Sequence, residues 1–302
     1  MEFLEGGDGT LAGRAYWNHR HALAERAPRL RALARTIDSE TSLNLPQWGQ
    51  LTALMLEYQP DLVIELGRAK GNSTSAFADV AVTSGARILS ICRTKMWAES
   101  VKRLEPLTDA AWHSHLDIRR GNITGFPFAR EVGDAKRVLV FWDAHGMQVA
   151  GAVLGSLLPA IADREHVVMM HDISDTRYDG PGRVPYNGRP LWDGTISSPD
   201  KFRIGYLESS VSQTIGILDF CTRNRMPLHS ADHSIHEAIE APGRAEEMRA
   251  LIGDLYSPRA HWSWFTAAEA QASPVSYPSP HFARPSPKAR LKRVARAVLG
   301  WD

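Results

Sequence analysis

The stretch DLVIELGRAKGNST, residues 61–74, decides the fold class of this sequence. It joins a short apolar run to a turn that contains Gly67 and Gly71, and a helical pattern follows at once. A buried parallel strand reads as a continuous apolar run, and a helix after it carries the chain back to the start of the next parallel strand. The stretch therefore predicts one strand–loop–helix unit of a parallel α/β sheet.

The same alternation of apolar runs and helical patterns continues along the chain. Strands are predicted at residues 61–66, 87–92, 116–120, 137–142 and 166–170, and again at 226–230 and 261–266. Because crossovers between parallel strands are right-handed, the simplest topology for such a chain is a doubly wound sheet. We predict an α/β fold with a doubly wound, mostly parallel, seven-stranded Rossmann-like sheet, N-terminal helices and a C-terminal basic helix.

The segments outside this alternation define the predicted domain organisation. Residues 1–45 are a helical extension, 46–270 the Rossmann-like domain, and 271–302 a Pro-rich linker with a basic tail. Residues 173–205 are rich in Gly, Pro and aromatic residues, which favours a lid-like insertion. The pattern of 288–299 is that of an amphipathic helix. Three roles for this helix stay open: peripheral contact with an anionic membrane, docking on the chain's own body, and a homo-oligomer contact.

Composition and charge narrow the class of protein. The 302 residues carry 35 Lys and Arg against 34 Asp and Glu, but residues 284–302 hold six basic residues and one acidic residue. The rest of the chain is mildly acidic, which argues against a nucleic-acid-binding protein. Cys92 and Cys221 form no disulfide framework, and no apolar run reaches about 18 residues. We expect a cytoplasmic protein, with the inner membrane surface open through the tail.

Polar residues follow three of the predicted strands. Glu65–Ser73 spans the end of the first strand and its turn, Asp143-Ala144-His145 follows the fourth strand, and His171-Asp172 follows the fifth. Ligands of open α/β sheets bind where the carboxyl ends of the strands meet, and glycines let the backbone approach a ligand there. Two carboxylates at this edge suit a hard divalent cation, whereas each acid taken singly suits a helix N-cap.

The order Glu-x-Gly-x-x-x-Gly-x-Ser, Asp-Ala-His and His-Asp, each at a strand end, resembles class I S-adenosylmethionine-dependent methyltransferases. Within that family it looks most like the branch of cephalosporin-hydroxylase-like proteins and metal-dependent sugar and macrolide O-methyltransferases, over about residues 46–268. The resemblance implies S-adenosylmethionine and a divalent metal, with Mg²⁺ favoured, and methylation of a hydroxyl on a sugar, glycan or natural-product small molecule. The resemblance implies cofactor contacts at Glu65, Gly67, Gly71, Asn72, Ser73, Arg93 and Asn122. It implies metal ligands at Asp143, His171 and Asp172. The catalytic residues it implies are Asp143 and, as general base, His145.

One departure from the family pattern keeps other classes of protein open. The second strand of this fold normally ends in an acid that holds the ribose, whereas this sequence has Cys92-Arg93. A non-catalytic binding protein is therefore one alternative. An NADP-dependent reductase would use Arg93 for a phosphate, but no tyrosine has a lysine four residues further on. A metal-dependent hydrolase would add the histidine cluster at 229–236, although a predicted strand end and loop argue against one shared helix face there.

Overall fold

A seven-stranded sheet forms the centre of the computed structural model, which describes residues 10–37, 43–171, 213–260 and 262–280. The strands are β1 (Leu62–Leu66), β2 (Arg87–Cys92), β3 (Leu116–Arg120), β4 (Arg137–Trp142), β5 (Glu165–His171), β6 (His229–Ser230) and β7 (Trp262–Phe265). The predicted lid-like insertion at 173–205, the predicted ligand Asp172 and the basic tail at 288–299 lie outside the described residues.

The strand order across the sheet is β3-β2-β1-β4-β5-β7-β6. Strands β1 to β5 run parallel, and β7 is antiparallel to both of its neighbours. The chain builds outward from β1 on one side and then returns to add β4 on the other, so the topological switch point lies between β1 and β4. The predicted doubly wound, mostly parallel, seven-stranded Rossmann-like sheet is confirmed.

Helices cover the sheet. They are α1 (Leu11–Asn18), α2 (Arg20–Ile37), α3 (Leu45–Tyr58), α4 (Asn72–Ser84), α5 (Trp97–Leu104), α6 (Ala110–Ser114), α7 (Phe128–Glu131), α8 (Met147–Ala152), α9 (Leu158–Ile161), α10 (described over 213–223), α11 (Ala231–Ile239) and α12 (Arg244–Ile252). A π-helical turn, Val153–Leu157, joins α8 to α9 where the sequence predicted one continuous helix. In the part of the chain that the structure describes, none of the helices is long and apolar enough to cross a membrane.

Both faces of the sheet are buried, as the continuous apolar runs of its parallel strands require. One face packs against α1, α2, α3 and α4, and the core there includes Trp48, Phe77 and Trp262. The other face packs against α8, α9 and α10, and its core includes Trp142 and Phe220. The carboxyl ends of β1, β4 and β5 are thereby held in a fixed arrangement.

The first helices belong to the same packed core. Gly13 of α1 lies so close to α11 that an added Cβ would stand 1.9 Å from the Ser234 carbonyl oxygen, and its N–H donates to Ser234 Oγ at 2.8 Å. Tyr16 donates its hydroxyl to the Leu255 carbonyl at 2.5 Å, and burial raises the pKa of this phenol. The N-terminal helices therefore brace the sheet through direct contacts.

The expectation for the region after α10 is partly wrong. The predicted strand at 226–230 is reduced to two residues of β6, and a helix begins where a loop was expected. Ser230 causes this early helix start, because its Oγ accepts the N–H of His233 at 3.4 Å and so caps α11. An N-cap serine ahead of an apolar periodic pattern is the signal for this start.

Candidate functional site

The carboxyl ends of β1 and β4 touch at the switch point. Gly67 follows β1 with a φ of 104°, and a Cβ at this position would lie 2.0 Å from the Asp143 carbonyl oxygen. The Asp143 N–H donates to the Leu66 carbonyl at 2.8 Å and fixes the two backbones together. Only glycine fits both the left-handed conformation and this close approach. Gly67 thus brings the predicted glycine loop directly beside Asp143.

Glu65 is fully buried beneath this loop. Its Oε1 accepts from Ser73 Oγ at 2.5 Å, and its Oε2 accepts from Thr74 Oγ1 at 2.7 Å and from Ser90 Oγ. Burial raises the pKa of Glu65, and the three hydroxyl bonds and the charge of Arg68 act in the opposite direction. The carboxylate points into the protein and ties β1 to α4 and β2, so Glu65 and Ser73 support the loop from within.

Two buried donors of the loop have no hydrogen-bond partner among the described residues. Arg68 is 3% exposed and donates from Nη1 to Ser90, but its Nε bonds to nothing described. Asn72 is also 3% exposed, and its Nδ2 is likewise unpartnered. A buried donor without a partner costs about 1–3 kcal/mol, so such groups call for an explanation such as an absent ligand. An acceptor oxygen of a bound ligand is one kind of partner that such donors take.

Trp97 lies against the outer side of the loop. Gly71 has a φ of 97°, and a Cβ at this position would come within 2.3 Å of the Trp97 ring. Trp97 in turn stacks on Trp112, with 6.5 Å between the ring centroids. The protein's own packing therefore requires glycine at position 71, and an indole closes this side of the loop.

The ends of β2 and β3 carry the remaining predicted cofactor contacts. Arg93 follows β2 directly and is exposed. Asn122 is exposed after β3, and its Oδ1 accepts the N–H of Thr124 at 3.3 Å. Both residues lie at the carboxyl edge of the parallel strands, on the β2–β3 side of the glycine loop.

Asp143 and His171 form a hydrogen bond across the ends of β4 and β5. The distance between Asp143 Oδ1 and His171 Nδ1 is 3.2 Å, and the two side chains are 21% and 17% exposed. Of the residues that the structure describes, none donates to Oδ2 of Asp143. Among the described residues, one carboxylate oxygen is thus hydrogen-bonded and the other has no donor.

The predicted metal site is described only in part. Within the described ranges, no group of three His, Cys, Asp or Glu side chains is placed to hold an ion. Asp143 and His171 are hydrogen-bonded to each other, and the third predicted ligand, Asp172, is outside those ranges. The described part of the site therefore supplies one carboxylate and one imidazole, and the metal stays a prediction.

The histidine cluster that follows α10 is divided among separate contacts. His229 Nε2 lies 2.7 Å from Glu269 Oε2, whereas His233 pairs with Glu237 at 3.2 Å on the protein surface. The first pair joins β6 to the segment after β7, and the second spans one turn of α11. The cluster therefore gives no support to a metal-dependent hydrolase.

A cavity of about 590 Å³ lies between α8, α10 and residues 276–279. Its apolar lining includes Met147, Leu154, Phe220 and Tyr277. An ion pair between Asp219 and Arg223, with 2.9 Å between nitrogen and oxygen, supplies charged groups in the wall. One of its lining residues, Met147, follows His145 by two positions in the chain.

The fold is similar to that of solved methyltransferase structures. One is PaMTH1 of Podospora anserina bound to S-adenosylhomocysteine, with 17% identity, 68% of this chain and 81% of that chain covered, and a TM-score of 0.43. Another is the O-methyltransferase TomG of Streptomyces achromogenes with S-adenosylmethionine, with 15% identity, 68% of this chain and 81% of that chain covered, and a TM-score of 0.40. A third is the plantazolicin methyltransferase BpumL, with 13% identity, 82% of this chain and 96% of that chain covered, and a TM-score of 0.43. No protein-family model and no curated protein matches the sequence. At these identities the similarity concerns the fold alone.

Two residues of this region, Arg68 and Gln47, were not predicted from the sequence as site residues. Arg68 lies inside the decisive stretch, and a charged residue between the two glycines of a buried loop is a signal that could have identified it. Gln47 is the last residue of the sequence Asn-Leu-Pro-Gln at the start of α3, and this pattern indicates a capping box. That pattern indicates where the helix begins but not that Gln47 contacts His171, 124 residues further on.

Proposed function

We propose that this protein is an S-adenosylmethionine-dependent O-methyltransferase whose glycine loop binds the amino-acid end of the cofactor. The observation that carries the proposal is that two buried donors, Arg68 Nε and Asn72 Nδ2, have no hydrogen-bond partner among the described residues, in a loop that lies beside the Asp143 backbone. The carboxylate of a methionine moiety matches these donors in charge and in hydrogen-bonding capacity. When bound, the cofactor would supply an electrophilic methyl group on a sulfonium centre.

Some of the other predicted cofactor contacts hold the shape of the glycine loop, and the rest lie at the exposed edge of the sheet. Glu65 and Ser73 hold the shape of the loop from below, and Gly67 and Gly71 let it pack between Asp143 and Trp97. The exposed residues Arg93 and Asn122 stand at the edge on which the adenosine would lie. An arginine in place of the usual ribose acid favours recognition through its hydrogen-bond donors.

Asp143 and His145 are the groups that we assign to the acceptor hydroxyl. The open Oδ2 of Asp143 accepts the hydroxyl proton in a hydrogen bond and so orients the oxygen toward the methyl group. His145, two residues further along the same loop, takes the proton as general base. We derive no step through a metal ion, because the third predicted ligand, Asp172, lies outside the described residues.

The cavity beside Met147 favours an acceptor with an apolar body, such as a phenolic or polyketide-like natural product, over a bare sugar. Its lining is mostly apolar, and apolar pockets with a few charged groups are typical of small-molecule sites. The proposal is tested by measuring S-adenosylhomocysteine release with a panel of phenols, hydroxylated polyketides and free sugars. Turnover of phenols or polyketides alone supports it, and turnover of sugars alone contradicts the assignment of the cavity.

Gly216→Leu should raise the KM of an apolar acceptor about tenfold and leave cofactor affinity unchanged, because the new side chain fills part of the cavity. A Cβ at Gly216 would stand 3.6 Å from Ala150 Cβ, an ordinary contact, so the helix tolerates the change. The matched control is Thr222→Leu, an exposed position on the same helix outside the cavity lining. Equal KM values for the two variants would show that the acceptor does not bind in this cavity.

A further inference from the structure

We propose that the carboxyl ends of β2 and β3 form a subsite for the phosphate of an adenosine nucleotide that is phosphorylated on its ribose. Three exposed basic residues, Arg93, Lys95 and Arg120, carry this subsite. The inference goes beyond the proposed function, because S-adenosylmethionine has no phosphate. It rests on that function only in placing an adenosine at this edge of the sheet.

The end of β2 lies between the glycine loop and the end of β3. On one side, the Gly67 N–H donates to the Ile91 carbonyl at 3.0 Å. On the other side, Cys92 pairs with Arg120 in the parallel ladder, and neighbouring strands lie about 4.8 Å apart. Arg93 is the residue that follows Cys92. It therefore stands at the carboxyl edge of the sheet, next to Arg120 and next to the glycine loop.

The positive charges at this edge are not neutralised by the part of the protein that the structure describes. Within that part, Arg93, Lys95 and Arg120 form no ion pair. Arg119, the neighbour of Arg120 in β3, instead pairs with Asp117 at 2.6 Å. Like charges held close together repel each other, and a bound anion removes the repulsion. Since ligands of open α/β sheets bind at this edge, the unpaired charges favour a ligand with a negative group there.

An arginine occupies the position that decides how a ribose is recognised. In dinucleotide-binding sheets, an acid about 20 residues after the glycine loop binds the ribose hydroxyl, whereas an arginine nearby accommodates a ribose phosphate. Arg93 follows Gly71 by 22 residues, and the first carboxylate after it, Glu99, lies within α5. A guanidinium binds two phosphate oxygens at once and offers no acceptor to a hydroxyl. The edge therefore favours a phosphorylated ribose over a ribose with free hydroxyls.

A nucleotide of this kind competes with the cofactor of the proposed function, because one adenosine site cannot hold two adenosines. The adenosine end of S-adenosylmethionine carries no negative charge, so the basic residues gain no ion pair from it. A ribose phosphate gains charge-assisted hydrogen bonds from the same residues. Binding of the nucleotide therefore excludes the cofactor and inhibits methyl transfer.

Calorimetric titration of the full chain with adenosine 2′-monophosphate, adenosine 3′-monophosphate, adenosine and inorganic phosphate tests the inference. One of the two monophosphates should bind at least about tenfold more tightly than adenosine, the effect of one hydrogen bond to a charged group. The preference should be largest at about 50 mM salt and weaken at about 500 mM, since exposed charges are screened. Inorganic phosphate should bind more weakly than the preferred monophosphate, because it lacks the adenosine.

Substitutions of Arg93 separate the charge from the rest of the site. Arg93→Gln should remove the preference for the monophosphate, and Arg93→Glu should reverse it, because a carboxylate accepts from ribose hydroxyls and repels a phosphate. The matched control is Arg130→Gln, which removes the same charge from an exposed arginine that pairs with Glu131 at 2.6 Å. The Glu131 carbonyl accepts from Arg87 at the start of β2, so this control lies at the opposite edge of the sheet. It should leave the preference unchanged.

Equal affinities of the unmodified protein for adenosine and for both monophosphates would overturn the inference. So would an equal loss of preference in Arg93→Gln and Arg130→Gln, or inorganic phosphate that binds as tightly as the nucleotide. The proposed function fails separately, when a monophosphate binds and S-adenosylhomocysteine does not. Binding of S-adenosylhomocysteine without any preference for a ribose phosphate would keep the proposed function and remove the subsite. Absence of binding by every adenosine compound would contradict both.

Discussion

Asp143→Asn is expected to lower kcat about 100-fold, the size of loss that follows when a reacting group is misplaced by about 1 Å. The asparagine Oδ1 still accepts from His171 Nδ1, so the side chain keeps its place. Its NH₂ group then stands where Oδ2 was and donates where the acceptor hydroxyl needs an acceptor. The loss therefore appears in kcat at saturating acceptor, measured as S-adenosylhomocysteine release, and cofactor affinity should change less than about twofold.

The control for this variant is Asp117→Asn, on the outer strand β3, where the carboxylate pairs with Arg119 at the surface. It should leave kcat unaffected. A kcat for Asp143→Asn within about threefold of the unmodified enzyme would exclude Asp143 from orienting the acceptor hydroxyl, because loss of that orientation costs far more than this. His145→Gln, assayed beside it, separates the base from the residue that orients the hydroxyl.

Glu65→Ala is expected to lower the free energy of unfolding by about 3–5 kcal/mol, the usual cost when one member of a buried ionic network is removed. Three hydroxyl groups lose their acceptor, and the buried charge of Arg68 loses the nearby carboxylate. Urea unfolding followed by tryptophan fluorescence measures the change. A loss below about 1 kcal/mol would show that the network does not stabilise the loop.

Two further variants give smaller expected losses of stability with which the loss in Glu65→Ala can be compared. Glu65→Gln keeps an acceptor oxygen for part of the network and should cost less than the alanine variant, about 1–2 kcal/mol. Glu57→Gln removes a carboxylate that pairs with Arg14 at 2.8 Å near the surface, and such pairs contribute at most about 1 kcal/mol. If Glu65→Ala were no worse than Glu57→Gln, burial of the carboxylate would not matter for stability.

The sheet was predictable from the sequence because its strands are buried on both faces and read as uninterrupted apolar runs. β2, β3 and β4 were predicted with the bounds they have, and β1 and β5 nearly so. The glycine loop was equally predictable, since Gly67 and Gly71 mark two of its three positions with positive φ; the third is Ala69. What the sequence misplaced was β6, where a capping serine begins a helix directly after two strand residues.

The candidate site was only partly predictable, because its decisive contacts join distant parts of the chain. Asp143 and His171 were found together because parallel strands end at one edge. Arg68 has the sequence context of an ordinary loop residue, and only the structure shows its Nε buried with no partner among the residues it describes. Gln47 reaches His171 across 124 residues, a contact that depends on how α3 packs over β7 and has no local signature.

Calorimetric titration with S-adenosylhomocysteine tests the central claim most directly, because it needs no acceptor. Binding at a single site with a Kd at or below about 100 µM, or ~5.5 kcal/mol of binding free energy, is the result that the glycine loop and its two unpartnered donors predict. Absence of binding heat up to about 1 mM would contradict the assignment and favour a binding protein that has this fold without this cofactor.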